Sequence, residues 1–236
     1  MALLNAGAFF GSAVPAIISK WVGRRHQLFL AAFLVLIGGI LQTATQIPHL
    51  SMLYGGRVVA GLGIGVLSSV CPVFVAECAP AELRGIMMSA FEMFLVSGGM
   101  LAYWTVYGCS VHMLPSSRQW RVPFSLQIVL SVLVMFLTFF IVESPRWLAK
   151  QGRWEQATDS LCYLRSARPE DPELLLEIAA IKAQIEEEIE ATKGRTVKEM
   201  FAKKNFQRLM WALGVGLWAM WCGHNAILYC KSSKPY

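Results

Sequence analysis

The chain has 236 residues, 56% of them hydrophobic and 15% charged, with a formal net charge of +6. Long apolar stretches with few charges point to a membrane protein. The basic residues sit mostly beside those stretches and give no nucleic-acid signal, and the six cysteines show no CxxC or Cys/His spacing that suggests a metal or disulfide framework.

A spanning helix needs roughly 20 apolar residues. Six stretches qualify, about 2–19, 27–46, 51–78, 87–108, 122–142 and 207–230, with a long polar segment between the fifth and sixth. The expected class is therefore an all-α, polytopic membrane protein. Residues 1–19 have no basic region ahead of the apolar run, so they read as a helix and not as a cleaved signal. Lys20, Arg24 and Arg25 follow the first helix, Arg84 follows the third, and most of the remaining basic residues lie in the polar segment. By the positive-inside rule these three regions face the cytoplasm, and the amino terminus faces outward if the first helix spans.

The first helix runs into Ser19-Lys20-Trp21-Val22-Gly23-Arg24-Arg25. The third is dotted with small residues, among them Gly55, Gly56, Gly61, Gly63 and Gly65. Gly61 and Gly65 form a G-x-x-x-G, a spacing that lets a second backbone come close. That helix ends in Pro72-Val73-Phe74-Val75-Ala76-Glu77, followed by Glu82, Arg84 and Gly85.

Glu92 stands inside the fourth apolar stretch, about 12 Å along the helix from Arg84. Val96, Gly99 and Tyr103 share its face. A carboxylate at that depth is expensive unless it meets a cavity or a partner, so it either lines a site or pairs with a neighbouring helix. His112 lies in a loop and is given no role, and Trp120 is placed as an interfacial anchor. Gln127, near the outer end of the fifth helix, serves either a substrate or a helix–helix hydrogen bond.

The polar segment opens with Glu143-Ser144-Pro145-Arg146-Trp147-Leu148 and continues KQGRWEQA. Ala157, Leu161 and Leu164 then share one helical face. Asp171-Pro172 starts a further helix, in which Leu174, Ile178, Ile181, Ile185 and Ile189 form an amphipathic stripe. Glu186–Glu188 read as its solvated face. Thr196 and Glu199 have the spacing of a capping box.

These motifs together resemble the sugar porter family of the major facilitator superfamily, in a fungal-like form. The Gly23-Arg24-Arg25 turn, with Gly11, is similar to the family's G-x-x-x-D-[RK]-x-G-R-R, although Lys20 and Trp21 stand where an Asp and a basic residue belong. Pro72 to Glu77 with Arg84-Gly85 resembles P-x-Y-x-[AS]-E…R-G, with Phe74 for Tyr. Glu143 to Leu148 resembles P-E-S-P-R-W-L, with Val142 for the first Pro. The last helix is similar to Q-Q-x-x-G-x-N-x-x-x-Y-Y through Gly223, Asn225 and Tyr229, with Ala219 and Met220 in place of the glutamines and Cys230 in place of the second Tyr.

The resemblance implies the family's second to seventh helices. Residues 1–142 would form the amino-terminal bundle, 143–206 a cytoplasmic helical linker, 207–230 the first helix of the second bundle, and 231–236 a divergent tail. It also implies a truncated product or an incomplete gene segment. The fold has twelve helices around a central site. Expected substrate contacts are Glu92 (usually Gln in sugar-carrying relatives), Gln127, Asn225 and Tyr229. Expected at a cytoplasmic gate are Arg24, Arg25, Glu77, Arg84, Glu143 and Arg146, though the same residues could form a static surface network.

The function implied is alternating-access transport of a sugar, polyol or quinate-like compound across a lipid bilayer, the plasma membrane, with proton coupling left open. No cofactor or metal is expected. The alternative is a sensor or partner subunit that kept the fold, since the paired glutamines are absent. No nucleophile–base set or phosphate loop suggests an enzyme.

Overall fold

The computed structural model describes residues 2–45, 50–80, 82–112 and 118–192, with scattered helical residues between 206 and 218. The described segments form eight helices and no strand, as the apolar periodicity implies. They are α1 (Ala2–Ile18), α2 (Arg24–Ala44), α3 (Ser51–Cys78), α4 (Arg84–His112), α5 (Arg118–Thr138), α6 (Pro145–Lys150), α7 (Trp154–Arg165) and α8 (Pro172–Thr192). Arg24–Ala44, Ser51–Cys78, Arg84–His112 and Gln119–Thr138 are long and apolar enough to cross a membrane. The apolar α1 has 17 residues, a length of about 25 Å. The chain is an integral membrane protein. Most of its sixth apolar stretch, including Asn225 and Tyr229, falls outside the described residues, as does the Thr196–Glu199 capping box. Two compact units divide it, Met1–Ala183 and Gln184–Tyr236. Within the second, the described part is the end of α8 and the scattered helical residues, and Ile189 in α8 is exposed.

The first unit is built on α3, because its small residues form two faces. On one, Gly61 and Gly65 meet α1: a Cβ on Gly61 would sit 3.1 Å from the Cα of Gly7, and one on Gly65 would sit 2.8 Å from the Ser12 nitrogen. Gly7 and Gly11 answer from α1, so two backbones touch without side chains between them. On the other face Gly56 and Gly63 meet α2. A Cβ on Gly63 would lie 2.7 Å from the Ala31 carbonyl oxygen, and one on Gly56 would lie 2.9 Å from that of Gly38. Leu28, Ala31, Val66 and Val70 form the packed core between α2 and α3.

Gln42 pins the same seam. It is buried, and its Nε2 donates to the carbonyls of Gly38 at 3.1 Å and Gly56 at 3.3 Å. A buried amide in a bilayer has no water to turn to, so these bonds fix where α2 crosses α3. The helix α5 packs on α2, with Ile128 against Gly39 and the Phe29 and Phe139 rings edge to face at 5.6 Å. In α4, by contrast, Cys109 is the buried residue and most of the large apolar side chains are exposed.

A small polar-side cap follows. Ser144 is the N-cap of α6, its hydroxyl accepting from the Trp147 N–H at 3.2 Å, and Pro145 takes the first turn, where a missing N–H costs nothing. Gly152 has φ +76°, the left-handed turn that lets the chain reverse into α7. Ala157 and Leu161 from α7 meet Pro145 and Ala149 from α6 and Ile178 and Ile181 from α8 around one apolar centre.

Candidate functional site

Each helix end leaves N–H or C=O groups without partners inside the helix. At the end of the bundle where the basic residues gather, side chains from other helices meet these groups. α2 begins at Gly23, which has no side chain to cap it, and its first turn holds no acid. Glu143 supplies both from a distance. Its Oε1 accepts the backbone N–H of Arg25 at 3.1 Å and that of Ser144 at 3.1 Å. A carboxylate at a helix N-terminus is favoured by the exposed amides and the helix dipole. Gly23 gives that carboxylate room, because a Cβ there would displace it. The other oxygen, Oε2, lies 3.6 Å from His26 Nδ1.

The exchange is reciprocal. Arg25 donates Nε to the Thr138 carbonyl at 2.9 Å and Nη2 to that of Phe139 at 3.0 Å, so α2 covers the end of α5. From α6, Trp147 Nε1 donates to the Ser19 carbonyl at 2.8 Å, and Gln151 Nε2 donates to that of Lys20 at 2.6 Å. These hold the turn that follows α1. Arg165, the last residue of α7, donates Nη1 to the Cys78 carbonyl at the end of α3 at 3.1 Å. Its other nitrogens hold Glu177 of α8 at 3.1 and 2.8 Å.

At the centre lies an ion pair between α2 and α3. Arg24 meets Glu77 with two nitrogens, Nε to Oε2 at 3.3 Å and Nη2 to Oε1 at 3.1 Å. The paired fork is the arrangement that guanidinium and carboxylate favour. The side chains are 15% and 17% exposed, so solvent screens them less than a surface pair. Arg24 Nη1 also donates to Ser19 Oγ at 2.6 Å, and Ser144 Oγ donates to Glu77 Oε2 at 2.6 Å. An open cavity of about 440 Å³ adjoins the cluster, lined by Trp21, Arg25, His26, Glu143, Trp147 and Arg153 among others.

Of the residues singled out in the sequence, Arg24, Arg25, Glu77 and Glu143 come together here. Arg84 opens α4, and its Nε is buried without a hydrogen-bond partner among the described residues. Arg146 is the second residue of α6 and is half-buried. Glu92 is exposed on α4. Gln127 lines a different space, a groove of about 460 Å³ among α2, α3, α4 and α5, whose walls are mostly apolar and whose lining does not include Glu92. Its Nε2 is buried without a partner among the described residues. The structure therefore does not join Glu92 and Gln127 in one polar pocket, and Asn225 and Tyr229 lie outside the described residues.

Sequence reasoning missed four participants: Ser144, Trp147 and Gln151 as bonding groups, and Arg165 altogether. The Ser-Pro pair was a readable sign of a helix start. Nothing local marks Arg165, because its partner is a helix end 87 residues away.

The model of the family described as "Sugar (and other) transporter" matches residues 1–233. The chain belongs to the sugar (and other) transporter family. Among curated relatives, the probable quinate permease of Aspergillus terreus (strain NIH 2624 / FGSC A1156) is 35% identical over 234 residues, covering 97% of this chain and 43% of the permease. That of Neosartorya fischeri is 36% identical over 231 residues, covering 95% and 42%.

Among solved structures, the proton:xylose symporter XylE of the major facilitator superfamily, bound to 6-bromo-6-deoxy-D-glucose, matches with a TM-score of 0.72 and 26% identity. The match covers 79% of this chain and 42% of XylE. The inward-open conformation of the E. coli xylose transporter XylE matches with a TM-score of 0.68 and 26% identity, covering 78% and 44%. The fold is thus that of a major facilitator protein, and the chain spans less than half the length of these relatives.

Proposed function

We propose that the chain takes part in transport of a sugar or a related small polyhydroxy compound, quinate-like acids included, by alternating access across the plasma membrane. The observation that carries this reading is the Arg24–Glu77 pair, held by Ser144 and flanked by Glu143 on the start of α2. It ties three helix ends and α6 together through bonds that can break as a set. Such a cluster suits a gate that is closed in one state and released in another. Arg84 and Arg146 belong to the same gate in this reading, approaching it when the state changes.

Quinate permeases and a proton:xylose symporter are the relatives, so the substrate class is small, hydroxylated and either neutral or a carboxylate. XylE is named a proton:xylose symporter, and protons are the candidate coupling ion in this reading. Glu92 and Gln127 supply hydrogen-bonding groups at membrane depth, with Asn225 and Tyr229 contributing from the last helix. Hydroxyls left unpaired in such a site are costly, so the site needs several donors and acceptors. The central site of the fold lies between two bundles. By themselves, the 236 residues are therefore expected to show no saturable uptake in liposomes.

The test is a chimera in which this chain replaces the matching residues of the Aspergillus terreus quinate permease. Saturable uptake of quinate or of a pentose or hexose supports the reading. A chimera that inserts in the membrane and binds none of these overturns it, and a signalling response without uptake favours the sensor alternative.

A further inference from the structure

Ser144 is fully buried, at 0% exposure, at the junction between the membrane helices and α6. Its hydroxyl does two things at once. It donates to Glu77 Oε2 at 2.6 Å and accepts from the Trp147 N–H at 3.2 Å. A hydroxyl has one proton and two lone pairs, so both bonds can be made together. The Glu77 oxygen it binds also takes Arg24 Nε at 3.3 Å. The same short helix reaches the turn after α1 through Trp147 and Gln151. Within α6 and the residue that caps it, Ser144 alone among the described residues joins the carboxylate of the ion pair to the first turn of that helix.

We propose that Ser144 is a positioning residue for Glu77: its hydroxyl holds the carboxylate in the Arg24 fork and makes the ion pair and the start of α6 open as one unit. This rests on the gate reading given above. A Ser that only capped α6 would have no need of a carboxylate on its proton. With the hydroxyl removed, Glu77 keeps Arg24 but loses its link to α6, so the two parts open separately and more often.

Cys78 is a native reporter, since it is buried beside Glu77 and its carbonyl is held by Arg165. The experiment measures maleimide labelling of Cys78, resolved by peptide mass spectrometry, in the full chain reconstituted into liposomes. Loss of a hydrogen bond to a charged group is expected to raise the Cys78 rate roughly tenfold in Ser144→Ala. The deciding readout is the same substitution in a Glu77→Ala background, which leaves the Ser144 hydroxyl no acceptor at that position. There Ser144→Ala is expected to add less than about twofold, because contacting groups that act through each other are not additive. Taking the ratio within each background cancels the direct effect of the residue-77 change on the reactivity of the thiol.

An equal increase in both backgrounds means that Ser144 only caps α6, and overturns the proposal. If Arg24→Ala speeds labelling and Ser144→Ala does not, the gate stands and the Ser144 role falls. If Arg24→Ala leaves the rate unchanged, the gate reading falls and this proposal with it. Should Ser144→Ala not fold, Ser144→Thr carries the test: a rate near wild type supports the hydroxyl's role, and a rate raised tenfold overturns it.

Discussion

At the scale of single residues, the charged cluster is mainly an exchange of helix caps. Glu143 serves α2, Arg25 serves α5, Arg165 serves α3, and Trp147 and Gln151 hold the turn after α1. Gly23 leaves the Glu143 carboxylate room to lie against the start of α2, and a side chain there displaces that carboxylate. Gly23→Ala is expected to cost about 1–2 kcal/mol, the value of a lost N-cap, and to lower the thermal midpoint measured in detergent. An unchanged midpoint would mean that Glu143 does not cap α2.

The Arg24–Glu77 pair lends itself to a double-mutant cycle with Arg24→Ala and Glu77→Gln. Each single change leaves a nearly buried charge or its partner uncompensated, so each is expected to cost about 3 kcal/mol. The double change is expected to cost less than the sum by about 2 kcal/mol, read from chemical unfolding. Additive losses would show that the two groups do not act on each other.

These charged residues were readable from the sequence because ionisable groups at the ends of apolar helices have few places to go. Their partners were not. Whether Glu143 meets an ammonium, a guanidinium or a backbone N–H depends on which helix ends the fold brings together. Glu92 illustrates the opposite limit. Its distance along the helix from Arg84 was readable, yet nothing local says which neighbour faces it, and on α4 it is exposed.

At the scale of elements, α3 is the helix to perturb. Its Gly61/Gly65 face was legible as a small-residue stripe, but its other face, Gly56 and Gly63 against α2, was not, because those glycines lack the G-x-x-x-G spacing. Gly65→Val would push a branched side chain into the Ala8–Ser12 backbone of α1, and it is expected to cost roughly 1–3 kcal/mol as an overpacked contact. Gly55 is the matched control. It lies in the same helix with nothing within 4 Å of an added Cβ, so Gly55→Ala is expected to be neutral or to stabilise by about 0.5–1 kcal/mol. Thermal unfolding of the two variants side by side checks both. Similar losses for both would refute the two-faced description of α3.

At the scale of the whole molecule, the spans from 24 to 138 and the amphipathic α7 and α8 followed from periodicity and length. α2, α4 and α5 begin three or four residues earlier than the apolar runs suggested, because arginines at 24, 84 and 118 are the first helical residues. Long basic side chains can extend from a spanning helix toward the interface, so polarity alone marks the end of the apolar core and not the end of the helix. The central claim is that the cluster of Arg24, Glu77, Ser144 and Glu143 sets the rate of access and does not itself bind substrate. The most direct measurement is transport by the quinate-permease chimera carrying Glu143→Gln, with substrate Kd and turnover determined separately. The account predicts a turnover changed by roughly tenfold with Kd unaltered, as loss of a charge-assisted hydrogen bond implies. An unaltered turnover with lowered stability, or a Kd that moves as far as the turnover, would contradict it.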